Sequence, residues 1–429
     1  MTTAQSTLLF RGVRVIDGTG HPGVAHQDVV VHGERIQAVG PTAAPPPEGV
    51  KVVEGAGCTL LPGLINMHAH LCMSGAPGQR GLAHESVETQ LLRAARNAQV
   101  SLTSGATTVR DLGGTGRLTQ TVRDAVTEGL IIGPRIITCG RVITTTAGHG
   151  WPHGYRADTA DELKKVARTL VEERVDVLKV MASGGGGTPG SNVAAPQYSA
   201  DELRVLVAEA RRLGKPIATH AIGTASIRNA VLAGIDTIEH CGWMGMDGGL
   251  EFDESLIERM LAQGTTVVPT ITVWYRAAYD DVKNMSEDRK RMRSVREERT
   301  AAWAKMHAAG VRFATGPDTG IHDTYFDNLA WELELMVEHM GVSPLDAIAA
   351  ATHHSAVALR LEHEIGTIAP GKIADLLLVE GDPATEIGAL RRVRLVVRAG
   401  RPVATPGALM VPLDGDASRL RQDLMQVHN

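Results

Sequence analysis

From Leu60 to about residue 350 the chain alternates short β-branched or apolar runs with longer Ala-, Arg- and Glu-rich stretches, a pattern few folds accept. The apolar runs are TLLPGLINMHAHL, ATTVRDLG, PRIITCGRVIT, VDVLKVMAS, PIATHAI, IDTIEHCG, TTVVPTIT and VRFATGPDT. Segments such as ESVETQLLRAARNAQVSLTSG and DELKKVARTLVEERV lie between them and read as helices. Strands that alternate with helices build parallel sheets. Eight repeats predict a closed (β/α)8, TIM-like barrel rather than an open doubly wound sheet. Aromatics are only 3% of the chain against 43% apolar residues, so the core must come from Ala, Val, Leu and Ile, which suits a barrel interior.

The flanks have a different texture. Residues 7 to 58 read as short strands broken by turns and by APPPEG, and β texture returns at GTIAPGKIADLLLVEGDP and VRLVVRAGRPV. The two flanks are expected to pair into one small discontinuous β-sandwich domain. The predicted division is 1–59 for its first part, 60–362 for the barrel, and 363–429 for its second part and a C-terminal tail, DASRLRQDLMQVHN.

Barrel enzymes place their chemistry where the strands end. His68 and His70 close the first run, Lys179 lies near the end of the fourth, His220 of the fifth, His240 of the sixth and Asp318 of the eighth. In a strand, residues two apart share a face, so His68 and His70 can offer two imidazoles to one metal while Ala69 points away. An H-x-H pair alone is equally a surface or structural pair; three more strand-end ligands make a metal centre the better reading. Imidazole and carboxylate donors suit zinc and its neighbours. Lys179 sits in the apolar VDVLKVM, where an ammonium needs relief from desolvation. A carboxylate partner such as Asp176 would supply it, and so would carbamylation by CO2. Asp318, in ATGPDTG, is either a turn aspartate or a metal ligand that also moves a proton.

At these residues the sequence resembles the amidohydrolase superfamily. The likeness rests on LLPGLINMHAHL, VLKVMASGG, ATHAIG, TIEHC, ATGPDTG and SPLDAIAAATHHSAVALRLEHEIGTIAPGKIADLLLVEGDP. The resemblance implies two divalent metal ions, expected to be zinc. His68, His70 and Asp318 would hold the more buried ion, His220 and His240 the more exposed one, and an N6-carboxylated Lys179 would bridge them. It implies hydrolysis of a C–N amide bond by a hydroxide held between the metals, with Asp318 passing the proton to the leaving nitrogen. VLKV, ITTTAGHGW and TIEHC look most like the imidazolonepropionase-related branch, which includes Xaa-Pro dipeptidase-like and ochratoxinase-like enzymes that cleave an amide near a carboxylate. His149, in AGHG, matches a histidine that stabilises the carbonyl oxygen in such relatives. Some dipeptidase relatives carry an aromatic where this chain has Ile222, so Tyr198, Trp274, Tyr275 and Arg276 are the candidates for gripping a substrate carboxylate or aromatic group.

The expected substrate is a small-molecule amide: dipeptide-like, an N-acyl amino acid or an aryl amide. Two alternatives stand beside it: a mononuclear deaminase or cyclic-amidine (imidazolone-type) hydrolase with Lys179 unmodified, and a catalytically silent barrel. A net charge of −5 offers no basic field for nucleic acid or anionic membrane. No run of 18 apolar residues occurs, and Cys58, Cys72, Cys139 and Cys241 form no C-x-x-C pair, which leads us to expect a cytoplasmic protein with free thiols. The resemblance also implies a homo-oligomer. GGGGTPGSN at 184–192 lacks the Lys-Ser/Thr ending of a phosphate loop and reads as a mobile loop after the fourth strand.

Overall fold

The computed structural model describes residues 7–42, 50–76, 85–276, 295–405 and 408–410, so the C-terminal tail lies outside the described residues. Nineteen strands are described, and they divide into a terminal sheet and a barrel. The N-terminal flank gives β1 (Thr7–Val15), β2 (Val24–His32), β3 (Arg35–Pro41), β4 (Lys51–Glu54) and β5 (Cys58–Pro62). The barrel strands are β6 (Leu64–Ala69), β7 (Ala106–Asp111), β8 (Arg135–Thr138) with the short β9 (Ile143–Thr144) and β10 (Tyr155–Arg156) behind it, β11 (Leu178–Met181), β12 (Ile217–Gly223), β13 (Thr237–Met244), β14 (Thr266–Val268) and β15 (Arg312–Phe313). The C-terminal flank adds β16 (Leu376–Glu380), β17 (Val393–Arg398), β18 (Arg401–Thr405) and β19 (Ala408–Leu409).

Pairing is parallel along β6–β7–β8 and along β9–β11–β12–β13–β14–β15. Asp176 N donates to Thr138 O (2.8 Å) across the gap between β8 and β11. Met67 N donates to Thr315 O (2.8 Å) and His70 N to Thr319 O (2.7 Å), which closes the eighth strand onto the first. The (β/α)8 barrel is therefore complete. Every residue of β12 and β13 is buried, as expected for parallel strands covered by helices on one side and core on the other. The helices start where the sequence marks them. Thr159 and Glu162 form a capping box for Ala160–Glu172, and Ser199 and Glu202 do the same for Ala200–Arg212.

The first apolar run divides at Gly63. Its TLLP half pairs as β5 with β1 and β16, and only LINMHA enters the barrel. The flanks pair as one nine-stranded sheet in the order β19-β18-β17-β16-β5-β1-β2-β3, with β4 against β1. Both its faces are buried near the middle. In β16, Leu376 and Leu378 join the sheet's own core with Phe10, Val13 and Leu60, while Leu377 and Val379 join the barrel's core. That period of two explains why LLLV reads as a continuous apolar run. Cys72, Cys139 and Cys241 are buried free thiols and Cys58 is half-buried. No helix among the described residues is long and apolar enough to cross a membrane.

Candidate metal centre at the strand ends

The barrel brings the strand-end ligands into one cluster. The His68 ring centroid lies 5.4 Å from that of His70 and 5.1 Å from that of His240, and His240 lies 4.5 Å from His220. Asp318 Oδ1 is 3.1 Å from His70 Nε2 and 3.4 Å from His68 Nε2. Such closeness needs an unusual backbone: His240 (φ 68°), Thr270 (φ 49°) and Asp318 (φ 59°) all occupy the left-handed region, a strain typical of functional sites. It also needs glycine at 316, where a Cβ would stand 2.5 Å from His68 N.

Each histidine has one ring nitrogen tied outward. His70 Nδ1 is 2.9 Å from Gly113 O, His220 Nε2 2.9 Å from Gly184 O, His240 Nδ1 2.8 Å from Thr270 Oγ1, and His68 Nδ1 3.0 Å from Glu239 Oε2. These contacts leave the opposite nitrogens for the cluster, the arrangement that metal-binding histidines use. Burial is the main reason that the His68 imidazole falls to about 4 and that His220 and His240 titrate far below the ordinary range, so all three are in the neutral form that ligates cations. Burial alone would raise Asp318, but His68, His70 and His240 hold it well below the usual carboxylate range. The buried Lys179 Nζ has no hydrogen-bond partner, and Asp318 Oδ1 faces the Nε2 atoms of His68 and His70. Burial, opposed by Glu239, lowers the Lys179 amine to about 8. Asp176 does not relieve it, because its carboxylate accepts from Arg123 Nη1 and Thr138 N instead. Neutral imidazoles aimed inward beside a buried carboxylate and a buried, unpartnered amine fit a divalent cation, and His68, His240 and Asp318 can bring ligand atoms within 4.8 Å of one another.

His149 reaches the same cluster. Its ring centroid is 4.5 Å from that of His220, and Nδ1 is 3.0 Å from Thr188 Oγ1. The glycine run that reads as a mobile loop is packed against the site. Gly184 anchors His220, and a Cβ on Gly185 would stand 2.5 Å from His149 Nε2. The other specificity candidates are placed differently. Tyr198 is a core residue whose hydroxyl donates to Ala157 O (2.8 Å), so it does not grip substrate. Tyr275 is likewise engaged by its neighbours, stacked on His339 (4.0 Å) and with the Arg296 guanidinium 4.4 Å from its centroid. Trp274 carries the Arg299 guanidinium 3.7 Å from its centroid. Arg276 closes the short helix Ile271–Arg276, and its side chain lies outside the described residues.

Sequence reasoning missed a buried support beneath the ligands. Arg110 donates through Nη2 to Glu239 Oε1 (2.7 Å), Nε to Met67 O (2.7 Å) and Nη1 to Thr237 Oγ1 (3.0 Å). Glu239 thus stands between Arg110 and His68. Glu332 is a second: it accepts from Ile271 N and Thr272 N, fixing the segment that carries Thr270, and burial raises its carboxyl to about 7. A charged residue inside an apolar strand, the signal that singled out Lys179, was equally present in ATTVRD and TIEHC.

A parallel barrel with polar groups converging at its strand ends is the frame of hydrolases that activate water on bound cations. The chain belongs to the amidohydrolase family, hydrolases of carbon–nitrogen bonds: the family's model matches residues 59–403. Ochratoxinase of Aspergillus niger is 27% identical, with 94% of this chain and 88% of the relative aligned. Its crystal structure superposes with a TM-score of 0.81 at 26% identity, covering 94% of this chain and 97% of that one. A Xaa-Pro dipeptidase solved with methionine in its active site also gives a TM-score of 0.81, at 28% identity over 92% of this chain and 99% of that one. Imidazolonepropionase of Symbiobacterium thermophilum is 23% identical, over 92% of this chain and 94% of the relative.

Proposed function

We propose that this amidohydrolase cleaves a C–N amide bond in a small molecule of the dipeptide-like, N-acyl amino acid or aryl amide type, using two divalent cations, with zinc the first candidate. His68, His70 and Asp318 would hold one, His220 and His240 the other, and a carboxylated Lys179 would lie between. Bound there, the cations supply Lewis acidity and make water a nucleophile near neutral pH. The observation that carries the reading is the convergence of four histidines, three with an outer ring nitrogen hydrogen-bonded and His68 with its own facing Glu239, around Asp318 and the unpartnered, buried Lys179 Nζ. A lysine amine lowered to about 8 has a substantial neutral fraction to add CO2.

Asp318 takes a proton from the attacking water and delivers it to the departing nitrogen. His149, through Nε2, stabilises the carbonyl oxygen as charge develops. The likeness to a protein named a dipeptidase supports a dipeptide-like substrate. Assembly as a homo-oligomer, a cytoplasmic setting, and neither nucleic acid nor membrane as partner belong to the same proposal. The close His68–His240–Asp318 group favours a second reading, a mononuclear deaminase or cyclic-amidine hydrolase with Lys179 unmodified.

Elemental analysis of protein purified without chelators tests these readings. About two zinc-like ions per chain, with turnover of N-acyl amino acids, dipeptides or aryl amides, is the expected result. About one ion selects the mononuclear reading. No metal and no turnover after supplementation would leave a silent barrel.

A further inference from the structure

Among the described residues two arginines are wholly buried, and they are provided for in opposite ways. Arg110 has hydrogen-bond partners at all three guanidinium nitrogens, one of them the Glu239 carboxylate. Arg299 has one: its Nε donates to Gly242 O (2.8 Å), while Nη1 and Nη2 are buried without any partner. Its guanidinium lies 3.7 Å from the Trp274 ring centroid, and that ring is fixed by its own bond from Nε1 to Pro269 O (3.2 Å). No carboxylate among the described residues pairs with it. An uncompensated buried charge is strongly unfavourable, and burial lowers this guanidinium only to about 9, so it stays charged at neutral pH.

The position of these unpartnered nitrogens matters too. Gly242 follows His240 by two residues on β13, and Trp274 follows Thr270, the residue that holds His240 Nδ1. Arg299, in the first turn of the helix Arg296–Ala308, is joined to the end of β13 through Gly242 O. Arg296, one turn earlier, also has buried Nε and Nη1 atoms without partners, over the Tyr275 ring. Two cationic side chains thus rest on the aromatic rings of the segment that follows Thr270, and the Arg299 fork keeps two donors unused.

We propose that Arg299 is the receptor for a carboxylate carried by the amide substrate, which its two Nη groups take as a bidentate pair. The fork geometry matches a planar carboxylate, and the stacked, Gly242-anchored guanidinium loses little freedom on binding it. The assignment rests on the amide-hydrolase reading and narrows it to anionic amides, and it moves the gripping role from Trp274 and Tyr275 to the arginines they support.

The test compares kcat/KM for a panel of N-acyl amino acids with their uncharged carboxamide counterparts, in the wild type and in Arg299→Met. The variant should lose about 100-fold on the carboxylates and no more than about 3-fold on the carboxamides, with metal content unchanged. Equal loss on both sets, or no loss on either, overturns the proposal. If Arg299→Met does not fold, Arg299→Lys keeps the charge without the fork and should still narrow the preference for carboxylates; an unchanged preference overturns it. If the wild type cleaves neither set, the amide reading fails and thermal melting decides the rest. N-benzoylglycine raising the melting temperature of the wild type but not of the variant, with its carboxamide raising neither, supports the receptor. Equal shifts, or no shift, count against it.

Discussion

An amine inside a protein escapes its desolvation cost through a carboxylate partner, loss of its proton, or covalent change. Lys179 has no partner at Nζ, and Asp176, the nearest candidate in sequence, is committed to Arg123 and Thr138 N. Covalent change with metal bridging then makes a definite demand: Lys179→Ala should lose bound metal and at least about 100-fold in turnover, and wild-type rates in that variant would remove the bridge. Asp318→Asn should keep at least one metal by elemental analysis yet lose about 100-fold or more in turnover as its proton-accepting oxygen goes; an unchanged rate would return Asp318 to a ligand alone. Among single residues, the cluster of His68, His70, His220, His240 and Asp318 was legible because strand parity and strand ends decide which side chains meet. Tyr198, Trp274 and Tyr275 were not legible as packing residues. What separates an aromatic that grips from one that supports is its contacts, such as the Tyr198 hydroxyl on Ala157 O, and contacts between distant segments leave no local mark.

At the scale of elements, eight apolar runs sufficed for the barrel, and the structure adds the capping boxes that start the helices after Thr159 and Ser199. What escaped was the division of TLLPGLINMHA between two sheets, since Leu60 and Leu61 are buried on opposite faces and an apolar run does not reveal which sheet owns it. Helix-to-helix links also came only with the structure. Glu209, on Ala200–Arg212, accepts from Arg168 on Ala160–Glu172 (2.7 Å) and from Arg212 Nε (3.0 Å). Hydrogen bonds from those two arginines lower its carboxyl from 4.5 to about 2. A depressed carboxylate stabilises above its unfolded value and stops doing so as pH falls through the folded one. Glu209→Gln should therefore lower the melting temperature by a few degrees at neutral pH, about 2–4 °C per kcal/mol lost, with the gap to wild type narrowing from pH 4.5 toward 2. A gap independent of pH would mean that the link works by shape and not by charge.

On the scale of the whole molecule, barrel and terminal sheet share one buried wall. Asp375, in the turn before β16, accepts from Arg135 of β8 (2.7 Å), Arg398 of β17 (3.3 Å) and Ala399 N (2.8 Å). Asp375→Ala would strand two guanidinium groups and should cost about 3 kcal/mol in a denaturant titration. The loss should appear in a single transition, because β16 belongs to both cores; a barrel that melted at the wild-type midpoint while the sheet came away first would sink that view. The ligand set has a further bearing on how the protein comes into being. Its members run from residue 68 to residue 318, and β16, whose Leu377 packs on Gly105 just before β7, is made later still. A chain leaving the ribosome from its N-terminus exposes His68 and His70 long before Asp318 exists, so under the proposed function an ion that needs the full set is captured only late in synthesis and does not help the early chain to fold.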